Sequence, residues 1–231
     1  MKALKLALAA AAATLAVGSV AHAQDAPFKL AFNIGANSDY VFRGISQTNE
    51  DPAVFGGVDA AIGSIGYAGA WVSNVDFGNG TDLEFDLYGG VKPVVGPVTF
   101  DFGAIYYGYT DQPKGSHEDY WELKAAGSIP AGPATFGAAV YYSPEFFGKT
   151  GKAAYYEINA VVPIPNSKFL VSGALGHQQV EGPADYTTWN AGLGFVLNDH
   201  IGLDLRYWDT DQHSFGKVYD SRVVIGIKAT F

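Results

Sequence analysis

The segment Tyr219-Asp220-Ser221-Arg222-Val223-Val224-Ile225-Gly226-Ile227-Lys228-Ala229-Thr230-Phe231 alternates in chemistry with a period of two. Tyr219, Val223, Ile225, Ile227, Ala229 and Phe231 share one register with Ser221. Asp220, Arg222, Val224, Gly226, Lys228 and Thr230 share the other. Such a segment is a β-strand with one oily and one wet face. It is long for a soluble strand, which runs about 5–6 residues, and suits the roughly 9–11 tilted residues that cross a bilayer. An aromatic residue, Phe231, ends the oily face. The last strand of a soluble sandwich would show the same alternation, so the choice between the two rests on the rest of the chain.

The other end of the chain reads as a targeting segment. Lys2 and Lys5 precede an Ala/Leu/Val-rich run over residues 6–20, and Ala21-His22-Ala23 is a small-x-small cleavage pattern. Residues 1–23 are expected to be a cleaved secretory signal peptide and residues 24–231 one barrel domain. Loss of two lysines takes the formal charge from −9 to −11. Such an acidic chain lacks the electrostatic footprint of a nucleic-acid binder. Cysteine is absent, which excludes disulfides and thiolate chemistry. Beyond the leader there is no apolar run of about 18 residues, so no transmembrane helix is expected.

Period-two segments recur along the whole chain. They are expected over residues 28–42, 53–62, 66–77, 82–92, 98–109, 119–129, 134–143, 153–162, 168–178, 186–197, 201–210 and 219–231. The connections after even-numbered segments are short and rich in Pro, Gly and Asn, such as Pro130-Ala131-Gly132-Pro133. Those after odd-numbered segments are mostly longer and more charged, such as residues 110–118. A transmembrane barrel has this parity, and a soluble sandwich has no reason for it. Aromatic residues gather at the segment ends beside the long loops, as at Tyr106-Tyr107, Tyr120-Trp121, Tyr141-Tyr142, Tyr155-Tyr156 and Tyr207-Trp208. Interfacial girdles predict this bias, whereas strand propensity alone does not. The expected fold is all-β: a closed antiparallel transmembrane up-and-down β-barrel of about 12 strands, with short periplasmic turns and longer extracellular loops. Closure, the last strand pairing with the first, satisfies every backbone group in hydrocarbon.

Residues 37–48, Asn-Ser-Asp-Tyr-Val-Phe-Arg-Gly-Ile-Ser-Gln-Thr, resemble a hallmark block of the TorF-family porins. So do Gly56-Gly57-Val58-Asp59, residues 71–77 (Trp-Val-Ser-Asn-Val-Asp-Phe) and residues 84–90 (Glu-Phe-Asp-Leu-Tyr-Gly-Gly). The resemblance implies an outer-membrane, pore-forming protein of proteobacteria and carries no solute with it.

If the oily face meets lipid, the other face lines a lumen. That face carries Asp39, Arg43, Glu84, Asp86, Glu122, Lys124, Glu157, Asp204, Arg206 and Arg222, along with Asp76, Lys92, Asp101, Asp220 and Lys228. Rings of such charges would set selectivity; alternatively, ion pairs would plug the barrel. Twelve strands exceed the roughly eight whose side chains fill an interior, which favours a cavity or channel. Arg43, read as lying on the first strand beside Asp39, is the foremost candidate. Arg206 and Arg222 are placed opposite Glu84, Glu122 and Glu157. The acidic excess leans the passage toward cations.

An enzyme is the competing class, and a non-conducting structural or adhesin barrel a third. His117, His177, His200 and His213 lie in separate loops, turns and strand ends. Metal-ligand spacing is missing, and Gly56-Gly57 and Gly89-Gly90 fall inside strands. No enzymatic activity and no cofactor are therefore expected. The expected partners are outer-membrane lipids, the barrel-insertion machinery reading the strand that ends in Phe231, and small solutes.

Overall fold

A computed structural model describes Phe28–Phe231; the expected leader and cleavage site lie outside the described residues. Period-two chemistry becomes twelve antiparallel strands: β1 Phe28–Asn37, β2 Ala53–Ile62, β3 Gly66–Asn74, β4 Leu83–Val91, β5 Val98–Thr110 and β6 Tyr120–Ala131. The second half follows as β7 Ala134–Ser143, β8 Ala153–Pro163, β9 Phe169–Val180, β10 Tyr186–Val196, β11 Ile201–Thr210 and β12 Arg222–Thr230. Each pairs with its sequence neighbours, and β12 returns to β1 with Asn33 opposite Thr230 and Asn37 opposite Gly226. Phe32 and Phe231 exchange backbone hydrogen bonds at 3.0 and 2.9 Å, so the ring closes up to the last residue.

The register sets the size of the ring. From Phe28, paired residues lead through Ile62, Gly66, Val91, Phe102, Ala125 and Val140 to Tyr156. From Asn37, the opposite route runs through Gly226, Asp204, Gly194 and Leu170 to Pro163. The two routes lie nine residues apart on β1 and seven apart on β8, so one circuit shears the register by sixteen residues. Strands about 4.8 Å apart with about 3.4 Å rise then tilt by about 43° and enclose a backbone cylinder of about 13 Å radius. That leaves room inside for more than wall side chains.

Alternation decides which face sees what. On β4, Leu87 is 53% exposed to the outside while Glu84 and Asp86 are 2% and 6% exposed; on β12, Ile225 is 63% exposed. Phe28, Leu30, Phe32 and Ile34 continue the outward apolar belt. Moving one such side chain from water into hydrocarbon contributes roughly 1.5–3 kcal/mol. The expected parity of connections holds: residues 63–65, 132–133 and 197–200 are short turns at one rim, and residues 38–52, 111–119, 144–152 and 211–221 are longer loops at the other.

The structure departs from expectation in three places. β1 ends at Asn37, and the chain then leaves the wall as loop 1, residues 38–52, which holds a small hairpin of Val41–Phe42 against Ile45–Ser46. In β3, Tyr67 and Trp71, out of phase with Asp76 and so expected on the lipid side, point inward: Tyr67 donates to Asp101 at 2.7 Å and Trp71 packs 5.3 Å from Tyr40, while Val72 faces out. Finally, the aromatic doublets form only half a girdle. Tyr106, Trp121, Tyr142, Tyr156 and Tyr207 face out, but their neighbours Tyr107, Tyr120, Tyr141, Tyr155 and Trp208 are buried inside.

Candidate functional site: the lumen and its inward loop

Loop 1 crosses the lumen because its tip is a two-residue turn. Arg43 and Gly44 have φ of 48° and 87°, the left-handed pair that a tight hairpin of this kind requires. Glycine is needed at the second position twice over. Its φ is positive, and a Cβ there would collide with Thr188 of β10 and meet Thr210 of β11. Arg43 takes the same left-handed region against the ordinary preference of a side-chain-bearing residue, and its side chain supplies the reason.

The Arg43 guanidinium donates from Nη2 to Oε2 of Glu122 at 2.6 Å and from Nη1 to Oε1 at 2.8 Å. It also donates from Nη1 to Oε1 of Gln178 at 3.0 Å. Its carbon lies 4.3 Å from the Tyr155 ring centre, 4.9 Å from Tyr141 and 4.6 Å from Phe42. Arg43 and Glu122 are 3% and 1% exposed. A forked pair in so dry a setting is strong only because every charge is answered. The Tyr155 ring fits there because Gly176 on β9 has no Cβ in its way.

Loop 1 is moored on other strands as well. The Tyr40 hydroxyl donates to Glu84 at 2.7 Å, and Arg222 donates to Asp39 at 2.9 Å. Ser46 and Thr48 also donate to Asp39, at 2.7 and 3.0 Å. Above this layer Phe146 and Phe147 of the loop after β7 cover Tyr109 and Tyr120. The outer part of the lumen is thus filled by loop 1 and inward aromatics.

The remaining charges sit deeper or in their own pairs. Lys124 donates to Asp101 at 2.8 Å, with Lys92 3.8 Å from the same carboxylate. Arg206 donates to Asp204, Asn190 and Ser172 at 2.9, 2.6 and 2.9 Å. Glu157 accepts from Tyr155 and Asn159. Asp86 keeps one carboxylate oxygen without a protein partner.

Several pairings differ from those expected. Arg43 is on loop 1 and meets Glu122, not Asp39. Arg222 takes Asp39. Arg206 is held by its own strand and two neighbours, and Glu84 and Glu157 are met by tyrosines and an asparagine. Asp76 and Asp220 lie in exposed loop positions outside the strands. Gln178 and the stacked tyrosines were not singled out from the sequence. The doublets Tyr141-Tyr142 and Tyr155-Tyr156 held the signal, because adjacent residues on a strand face opposite ways.

The histidines remain apart: His177 contacts Thr187 on the outer wall, His200 stacks on Phe231, and His213 meets Asp209 at 2.8 Å. Among the described residues, no three His, Cys, Asp or Glu side chains come together as a metal-holding group. A groove of about 670 Å³ lies on the lipid side instead, lined by Phe102, Ala125, Val140, Ile158 and Leu175. Its apolar walls suit acyl chains, not a polar solute.

A family model described as "Bacterial protein of unknown function (Gcw_chp)" matches residues 21–231. No curated protein matches the sequence. Similar solved structures include the KdgM porin, with TM-score 0.61 and 8% identity, covering 87% of this chain and 99% of that one. A KdgM porin in complex with disordered oligogalacturonate has TM-score 0.59 and 9% identity, over 87% and 98%. The NanC porin has TM-score 0.57 and 11% identity, over 88% and 99%. At such identities the likeness is one of fold.

Proposed function

The chain belongs to the Gcw_chp family of bacterial proteins of unknown function, and we propose that it is an outer-membrane porin for passive diffusion of small hydrophilic solutes or ions. The observation that carries this reading is the closed twelve-strand ring with an apolar exterior and a charged interior. An export leader over residues 1–23 and a C-terminal strand ending in Phe231, read by the insertion machinery, fit delivery to the outer membrane. The blocks at residues 37–48 and 84–90 support a place among TorF-family porins. The oligogalacturonate of the KdgM structure is not transferred, because a likeness at 9% identity is one of fold alone.

Of the buried charged side chains among the described residues, eight are acids and two, Arg43 and Arg206, are bases. That balance leans the passage toward cations. Loop 1 packs across the outer lumen from β1 to β6–β11, and in this reading conduction accompanies its displacement. The mooring of loop 1 also favours one second reading, a structural barrel that never conducts.

Planar-bilayer recordings separate the two. The full chain should give infrequent current steps, and a form with residues 39–51 replaced by a short turn should give frequent ones, with reversal potentials in a salt gradient favouring cations. Silence from both proteins leaves the structural barrel; anion preference removes the cation-leaning part alone.

A further inference from the structure

Glu122, Tyr141, Tyr155 and Gln178 stand on four consecutive strands, β6 to β9, and offer the Arg43 guanidinium two carboxylate oxygens, an amide oxygen and two ring faces. None belongs to loop 1, so the four remain in place when loop 1 leaves. We infer that this wall cage is a binding site for small guanidinium-bearing cations, and that Arg43 is its tethered occupant in the closed conformation. The inference rests on the porin reading and deepens it by naming a solute class.

The geometry selects the guanidinium group over other cations. Two parallel N–H···O bonds to Glu122 at 2.6 and 2.8 Å need a planar fork, which an ammonium cannot offer. A further bond ends on the amide oxygen of Gln178 at 3.0 Å. The flat faces are left for Tyr141 and Tyr155, where a weakly hydrated planar cation stacks. Anions meet a buried carboxylate and are repelled. Lys124, another lumen cation, stands 5.9 Å from the Tyr141 ring centre but is engaged by Asp101 at 2.8 Å.

The same cage makes loop release depend on the solute. Lifting Arg43 away by itself leaves the Glu122 carboxylate without its cation, answered only by the Tyr107 hydroxyl at 3.3 Å, which is unfavourable. A guanidinium solute that takes the vacated place restores the pair, so solute binding and loop release favour each other. The backbone agrees: an Asn-Gly tip would form this turn with less strain, yet the chain spends a left-handed position on arginine.

The test is a calorimetric titration of folded, detergent-solubilised full-length protein with methylguanidinium chloride. Arg43→Asn keeps the turn and empties the cage; Arg43→Ala is a second variant should the first fail to insert. Either variant should bind methylguanidinium at least tenfold more tightly than the unmodified protein does, and at least tenfold more tightly than it binds methylammonium. Adding Glu122→Gln should abolish that preference. In bilayers, methylguanidinium should open the unmodified barrel where methylammonium does not. Equal binding of the two cations, or binding indifferent to Glu122→Gln, overturns the inference even if the barrel conducts. Cage binding in a barrel silent with or without loop 1 keeps the site and removes the porin reading.

Discussion

At the scale of single residues, the Arg43–Glu122 pair holds loop 1 more than it holds the barrel. The strand ladder of β5, β6 and β7 runs through backbone groups, Glu122 opposite Ile105 among them, which a side-chain change at Glu122 leaves in place. Glu122→Ala strands the guanidinium, a loss of about 3–5 kcal/mol when one partner of a buried pair is removed. Loop 1 should detach while the barrel stays folded, read as lost hydrogen-exchange protection at the Gln47 amide, now bonded to the Tyr40 carbonyl, with protection of the strands retained. A second pair lies at the outer rim, where the hydrogen bond to Asp209 raises the His213 imidazole above its ordinary value of 6.5. A raised value in the folded state means the contact stabilises fully below about pH 6.5. It fades as pH climbs through the elevated folded value. Asp209→Asn should move the His213 NMR titration midpoint down toward about 6.5; an unchanged midpoint contradicts the pairing. Arg43 stood out in the sequence as a base among acids, but its partner was not legible. Glu122 is 79 residues away and is reached only because a loop turns inward, and strand periodicity says nothing of that turn.

Among the elements, the strands were the readable part and loop 1 was not. β2, β7 and β11 begin and end where alternation and turn residues put them. β1 stops short at Asn37, because Tyr40 and Phe42 continue an apolar alternation that belongs to a plug and not to a wall. β3 shows the limit of the same signal. Tyr67, Ala68, Gly69, Ala70, Trp71 and Val72 are nonpolar on both faces, so the pattern carries no phase. The aromatics go inward because Asp101 and Tyr40 meet them there. The tip of loop 1 gives an element-level prediction. Gly44→Val adds a β-branched side chain at φ 87° against Thr188, at a cost of order 1–3 kcal/mol. Loop 1 should become a protease-sensitive segment while thermal unfolding of the barrel hardly changes.

For the whole molecule, closure and facing matter together. A ring sheared by sixteen residues has no free edge, so the backbone is satisfied in hydrocarbon and the outward belt needs only lipid. Ile225→Arg places a charge on that belt and should lower the unfolding free energy in lipid vesicles by about 2–4 kcal/mol if it lies near the midplane, measured by urea titration. The absence of cysteine allows the most direct check of which way each face looks. Single spin labels attached at Leu87→Cys, Ile225→Cys, Asp86→Cys and Asn159→Cys in bilayers report collision with oxygen, which concentrates in lipid, or with a water-soluble nickel chelate. Labels at positions 87 and 225 should be relaxed by oxygen and shielded from nickel, while those at positions 86 and 159 should lack the lipid signature. The reverse assignment would place the charged face against lipid and contradict the barrel, its lumen and the transport reading together.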